Sequence, residues 1–237
     1  MNFDPFNIQT LHSSLTYDLA CLLASVLLVT VYHLFLRRKN RKDPTYTVQA
    51  INRIARTAWV ETIMRDEQKA VLAVQTLRNS TMAAIFLAST SVLLIIGVLT
   101  LSEQGGRIEA AWHSLNLVGA KHPELWMTKL IFLLLDLFVA FFSFAMSVRI
   151  FNHVGYMINV PLNLNHRMIT TAHVATHLNR AGDFYSIGMR SYYFLIPLVF
   201  WLFGPLLMLA STIGLMYVLY RIDRAPKILV LDYSDTE

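Results

Sequence analysis

YYFLIPLVFWLFGPLLMLASTIGLMYVLY, residues 192–220, runs for 29 residues without a charged side chain. A helix rises about 1.5 Å per residue, and a hydrocarbon core of about 30 Å takes about 20 apolar residues to cross. The run is longer than one crossing needs. Pro197 and the pair Gly204-Pro205 interrupt it, and the reading is one kinked span. Only helices and closed barrels satisfy every backbone N–H and C=O in lipid. The period-two alternation of an outer-membrane barrel is absent. The stretch therefore points to a helical membrane protein.

Three further runs agree, at about residues 16–36, 80–101 and 130–148, the last interrupted by Asp136. The chain is 55% hydrophobic and 15% charged, where soluble domains carry about 25% charged residues. Its mean hydropathy is +0.48. Residues 1–15 hold no Lys or Arg, so a cleaved signal peptide is not expected. The single cysteine, Cys21, excludes an intramolecular disulfide, a Cys-based zinc site and an iron–sulfur cluster. The expected fold is an all-α integral membrane protein. It is a four-transmembrane-helix bundle in one domain, residues 1–237, with cytoplasmic segments 37–79 and 149–191.

Lys and Arg set the orientation. Ten lie in residues 37–79 and four in 149–190, against six elsewhere. The positive-inside rule then puts both basic segments in the cytoplasm and both termini outside it, in a bacterial inner membrane. The net charge of +5 fits anionic lipid better than nucleic acid.

Between the first two runs, Val48, Ile51, Ile54, Ala55, Ala58, Trp59 and Ile63 recur at helical spacing. Asn52, Arg53, Arg56 and Glu61 fall opposite. This predicts an amphipathic helix over 47–65, lying on the membrane surface with Trp59 at headgroup level, or else packed on the protein itself. A short helix at 110–118 is also expected, and the loop 149–190 reads as partly helical. Small residues recur every fourth position at Ser80, Ala84 and Ala88, and at Ala210 and Gly214, which favours close helix packing.

Two groups of residues invite chemistry. Asp136 lies inside the third run, where a charge is costly. It is a proton or cation site, a contact with another subunit, or a structural hydrogen bond to Thr90, Ser91 or Tyr217. His166, His173 and His177 share a helical face, and the last two, at i and i+4, suit a shared metal. No glutamate stands between them, and hydrogen bonding at the headgroup boundary is the favoured reading. A membrane haem needs axial histidines inside spans, and only His33 approaches one. The sequence names no cofactor.

VLAVQTLRNSTMAAIFLAST (71–90), MSVRIFNHVGYMI (146–158) and NRAGDFYSIGMRSYYFLIPLVFWLFGP (179–205) resemble an uncharacterised family of small integral membrane proteins of bacteria and plants, a domain of unknown function. The resemblance covers about 56–223 and implies a helical membrane protein without implying an activity. Its pattern is strongest at Gln75, Arg78, Asn79, Arg149, Asn152, His153, Asn179, Arg180, Gly182, Ser186, Arg190 and Pro197.

Several of these meet in one layer on physical grounds alone. Arg78 and Asn79 enter the second run from the cytoplasm. Arg149, Asn152 and His153 leave the third there, and Arg180 and Arg190 precede the fourth. Arginines gathered in one layer repel unless anions join them. The acids nearby are Asp66, Glu67 and Asp183. The layer suits anionic lipid or ligand, or an acidic partner, unless each arginine snorkels separately. The leading expectation is a non-enzymatic accessory or assembly subunit of a larger inner-membrane complex, joined to other membrane subunits or to copies of itself. A small transporter, channel or anion- and lipid-binding protein is the alternative. A metal or redox enzyme is third.

Overall fold

The structure is a computed structural model, and it describes residues 5–103, 123–162 and 169–225. The expected helix at 110–118 and His166 lie outside the described residues. The described chain is helical: α1 (Pro5–Lys42), α2 (Val48–Met64), a 3-10 turn (Glu67–Lys69), α3 (Ala70–Glu103), α4 (Pro123–Met157), α5 (Thr171–Phe203) and α6 (Pro205–Asp223).

Five of these helices, all but α2, are long and apolar enough to cross a membrane. The four-span expectation is corrected at Gly204-Pro205. Gly204 has φ 152° and ψ 155°, a conformation that costs any residue with a Cβ heavily. Pro205 follows as the first residue of α6, where its missing N–H breaks no helical bond. The run therefore turns back on itself instead of kinking. Tyr193 and Phe194 of α5 pack beside Leu215, Met216 and Leu219 of α6. The loop expected over 149–191 also shrinks. α4 continues through Met157, and α5 begins at Thr171, whose preceding Thr170 accepts from the His173 N–H.

The long helices form a row in the order α3, α4, α5, α6, α1, each packed on the next, with α4 and α5 in the broadest contact. Inside the apolar helices, Thr and Ser hydroxyls donate to the carbonyl one turn back, as Thr30 does to Val26 and Thr100 to Ile96. This removes stray donors from a lipid-facing surface. α1 and α6 run parallel. Cys21 packs with Trp201 and Met208 at one end, and Tyr32 with Leu219 at the other. A backbone bridge joins Thr47 to Arg224, with the Ala225 N–H on the Tyr46 carbonyl at 3.0 Å. The end of α6 therefore lies beside the end of α1. Five long helices put the two ends of the described chain at opposite ends of the bundle, whereas four would put them together.

α1 ends in Lys39, Arg41 and Lys42, which suits the negative end of its dipole. At this basic end α2 begins, capped by the Thr47 hydroxyl on the Ala50 N–H. The sequence reading of an amphipathic helix here holds, but its stripe does not lie flat on lipid. Val60, Ile63 and Met64 are buried, and Trp59 packs partly against them, in a cluster with Leu77 of α3, Phe151 and Val154 of α4, and Val174 and Leu178 of α5. Burying such side chains against protein stabilises each by about 1.5–3 kcal/mol. Ile54 remains exposed.

A cavity under α2 as the candidate functional site

α2 packs chiefly on α5, and α3 packs on α4. Between α2 and α3 this leaves an open cavity of about 880 Å³ at the basic end, floored by α5. α2 contributes Gln49, Asn52, Arg56 and Trp59. α3 contributes Thr76, Leu77, Ser80 and Ala83. Phe151 comes from α4, Tyr185, Ser186, Arg190 and Tyr193 from α5, and Asp223 from α6.

Arg56 is held from two sides. Its Nε donates to Asn179 Oδ1 at 2.9 Å, and Asn179 Nδ2 donates to the Thr57 hydroxyl at 3.1 Å. Its guanidinium lies against Gly182, where a Cβ would stand 2.6 Å from Nη1 and 2.7 Å from Cζ. Glycine is needed there because only a bare backbone lets the planar head approach. Arg56 Nη2 is buried without a hydrogen-bond partner in the protein. Burial pushes this guanidinium down from its ordinary value, Asp183 draws it back up, and Arg53 presses it down again. Asp183 engages Arg53 through Oδ2, while its Oδ1 is buried without a partner. Two guanidiniums thus share one carboxylate, and Arg56 has the weaker claim on it.

The second arginine of the cavity is satisfied. Arg190 Nη2 donates to Asp223 Oδ2 at 2.9 Å, and the Tyr32 hydroxyl donates to the same oxygen at 2.8 Å. Arg190 Nη1 is 3.0 Å from His33 Nε2, while His33 Nδ1 is 2.8 Å from the Val29 carbonyl. A carbonyl only accepts and a guanidinium only donates. Nδ1 therefore donates to the carbonyl and Nε2 accepts from the guanidinium. This cluster ties α1, α5 and α6 together.

Of the arginine, asparagine and histidine residues expected in one layer, Arg190 lines the cavity. Arg78 and Asn79 on α3, Arg149, Asn152 and His153 on α4, and Arg180 on α5 are exposed. Arg180 sits 5.8 Å over the Phe184 ring. The His173 and His177 rings are 4.6 Å apart, on the outer side of α5. Among the described residues, no three His, Cys, Asp or Glu side chains are grouped to hold a metal ion.

Asp136 has partners other than the expected ones. Ser191 of α5 supplies its facing hydroxyl, and Asp136 Oδ2 is buried without a partner. Ser91 instead meets the Tyr192 hydroxyl at 2.8 Å, Thr90 bonds back to Phe86, and Tyr217 accepts from Arg221. The difference follows from the row order. Asp136 of α4 looks toward α5, while α6 lies beyond α5.

Sequence reasoning gave Arg56 to an outward polar face, and it missed Asp223 and Tyr32. It also missed a buried pair at the far end, Asp18 and Lys129, 3.9 Å apart and 3% and 4% exposed, with Trp201 Nε1 donating to Asp18 at 3.2 Å. The one available signal for Arg56 was the Asn179 and Gly182 pair that now holds it. Against known proteins, the family described as a protein of unknown function, DUF599, matches residues 20–228. No curated protein and no solved structure matches the chain.

Proposed function

The chain belongs to that family, and we propose that it is a multi-pass membrane protein that holds an anionic ligand in the cavity under α2. The observation that carries this reading is the Arg56 guanidinium, laid on Gly182, with a buried Nη2 that no protein acceptor takes up. A buried donor left unmade costs about 1–3 kcal/mol, more when charged. An anion in the cavity, beside this guanidinium, supplies the missing charge.

The orientation belongs to the same proposal. With five crossings Arg221 and Arg224 join the basic end. That leaves Arg107, Lys121 and Lys129 for the opposite side, so the positive-inside rule is met more fully than with four spans. In a bacterial inner membrane the cavity then faces the cytoplasm, near anionic lipid.

Native mass spectrometry from mild detergent tests the ligand reading. The wild-type chain is expected to retain a bound anionic species that Arg56→Gln loses. Identical spectra without a bound anion would remove it. A second reading, an accessory subunit of a membrane complex, is favoured by the outer face of α6. Ala210 and Gly214 are exposed there, with open space where a Gly214 Cβ would point. A subunit that co-purifies with wild type and is lost on Gly214→Leu would support it.

A further inference from the structure

We propose that the ligand of this cavity is an anionic glycerophospholipid taken from the adjoining leaflet, with its phosphate at Arg56 and its acyl chains passing out between α2 and α3. The proposal rests on the anion reading above and names the ligand's class.

The cavity is far larger than a small ion. The cavity holds about 880 Å³, and one water takes about 30 Å³ of liquid. A free phosphate, with five heavy atoms, leaves most of that space to water. Depth points to an amphiphile. The cavity runs along α5 from Leu178 to Tyr193, about 22 Å at the rise of a helix. Along α3 it runs from Thr76 to Ala83, out of the polar first turns and into the apolar run. It therefore joins headgroup depth to acyl-chain depth.

The walls suit the two halves of such a molecule. Arg56 carries the charge that no protein group fully answers, since Arg190 is already paired with Asp223. Asn52, Ser80 and Tyr185 offer hydrogen bonds to phosphate and ester oxygens, while Leu77, Ala83 and Trp59 offer apolar surface. Ser80 and Ala83 are small, so the α3 side leaves room for a chain. On either side of them α3 exposes Val74, Met82 and Phe86, a surface that lipid tails bathe.

The test places the full-length protein in phosphatidylcholine vesicles carrying a minor fraction of either phosphatidylglycerol or phosphatidylcholine with brominated acyl chains. Bromine quenches indole fluorescence at contact, and the Trp59 component is the part removed by Trp59→Phe. Trp59 quenching is expected to favour the brominated phosphatidylglycerol by about fivefold in effective concentration, or ~1 kcal/mol for one arginine. Arg56→Gln should reduce the ratio to parity, and Arg56→Lys should restore part of it. In a parallel arm, inorganic phosphate is added to protein in neutral detergent and the thermal midpoint is read. If phosphate stabilises wild type but not Arg56→Gln, and the vesicles show no headgroup preference, the lipid assignment is overturned while the anion reading stands. If neither arm responds to Arg56, both are overturned.

Discussion

Two glycines of α5 show how much one hydrogen can decide. A Cβ at Gly182 would meet the end of the Arg56 side chain, which is long and able to swing away. A Cβ at Gly188 would stand 2.7–2.9 Å from three carbons of the Phe144 ring. Phe144 is fully buried, with the Tyr185 and Tyr192 rings 5.7 and 5.4 Å away, so it has nowhere to retreat. Gly188→Ala should therefore cost about 1–3 kcal/mol, the range for overpacking. Gly182→Ala should leave stability within about 1 kcal/mol, because helical alanine offsets the strain, yet displace Arg56 and weaken anion retention. Thermal unfolding of both variants, with native mass spectrometry of the second, checks the contrast. Equal loss of stability in the two would refute it. Neither role is visible in the residues Gly182 and Gly188 themselves, since any glycine within a helical run reads as a weak point.

Among the elements, α2 and the α5–α6 turn carried the largest revisions. The apolar stripe of α2 is a local property and is legible from spacing alone. Its destination is not, because a stripe facing lipid and a stripe facing Leu178 of α5 have the same periodicity. The polar face behaved likewise. Arg53 and Arg56 look solvated in sequence, but α5 offers Asp183 and Asn179 at the matching height. At the turn, Gly204 adopts φ 152° while its N–H still bonds the Phe200 and Trp201 carbonyls. Gly204→Ala should lower stability by about 1–3 kcal/mol through backbone strain. Pro205→Ala should cost less, since the first helical residue needs no donor. Denaturation midpoints of the two variants decide the matter, and a larger loss at Pro205 would contradict this account of the turn.

For the whole molecule, the consequence of that turn is an odd number of long apolar helices. α1 is pinned at both ends. At one end the Asp18 and Lys129 pair sits with Trp201, and at the other Tyr32 and His33 meet Asp223 and Arg190. These contacts fix α1 parallel to α6, so that the Thr47–Arg224 bridge can form. In a Cys21→Ser background, Thr45→Cys and Arg224→Cys should be shielded from a membrane-impermeant maleimide in intact cells, and Glu103→Cys should be labelled. Labelling of Arg224→Cys together with Glu103→Cys would exclude the five-crossing topology. The bilayer also explains why the buried Asp18 and Lys129 pair is placed between helices: an ion leaving water loses several kcal/mol that only a close partner recovers.

The sequence by itself determined the apolar, all-helical class and the charge asymmetry. Apolar length and the positions of Lys and Arg are properties of each segment alone, and lipid leaves an unbroken apolar segment little choice but a helix. The tertiary structure decided the number of long helices, the side of α2 that is covered, and the union of Arg56 with Asn179 and Gly182. Those outcomes depend on one glycine's dihedral angle and on partners more than 100 residues apart. Periodicity within a helix records which face is apolar, but the meeting of two faces is set by how the helices cross.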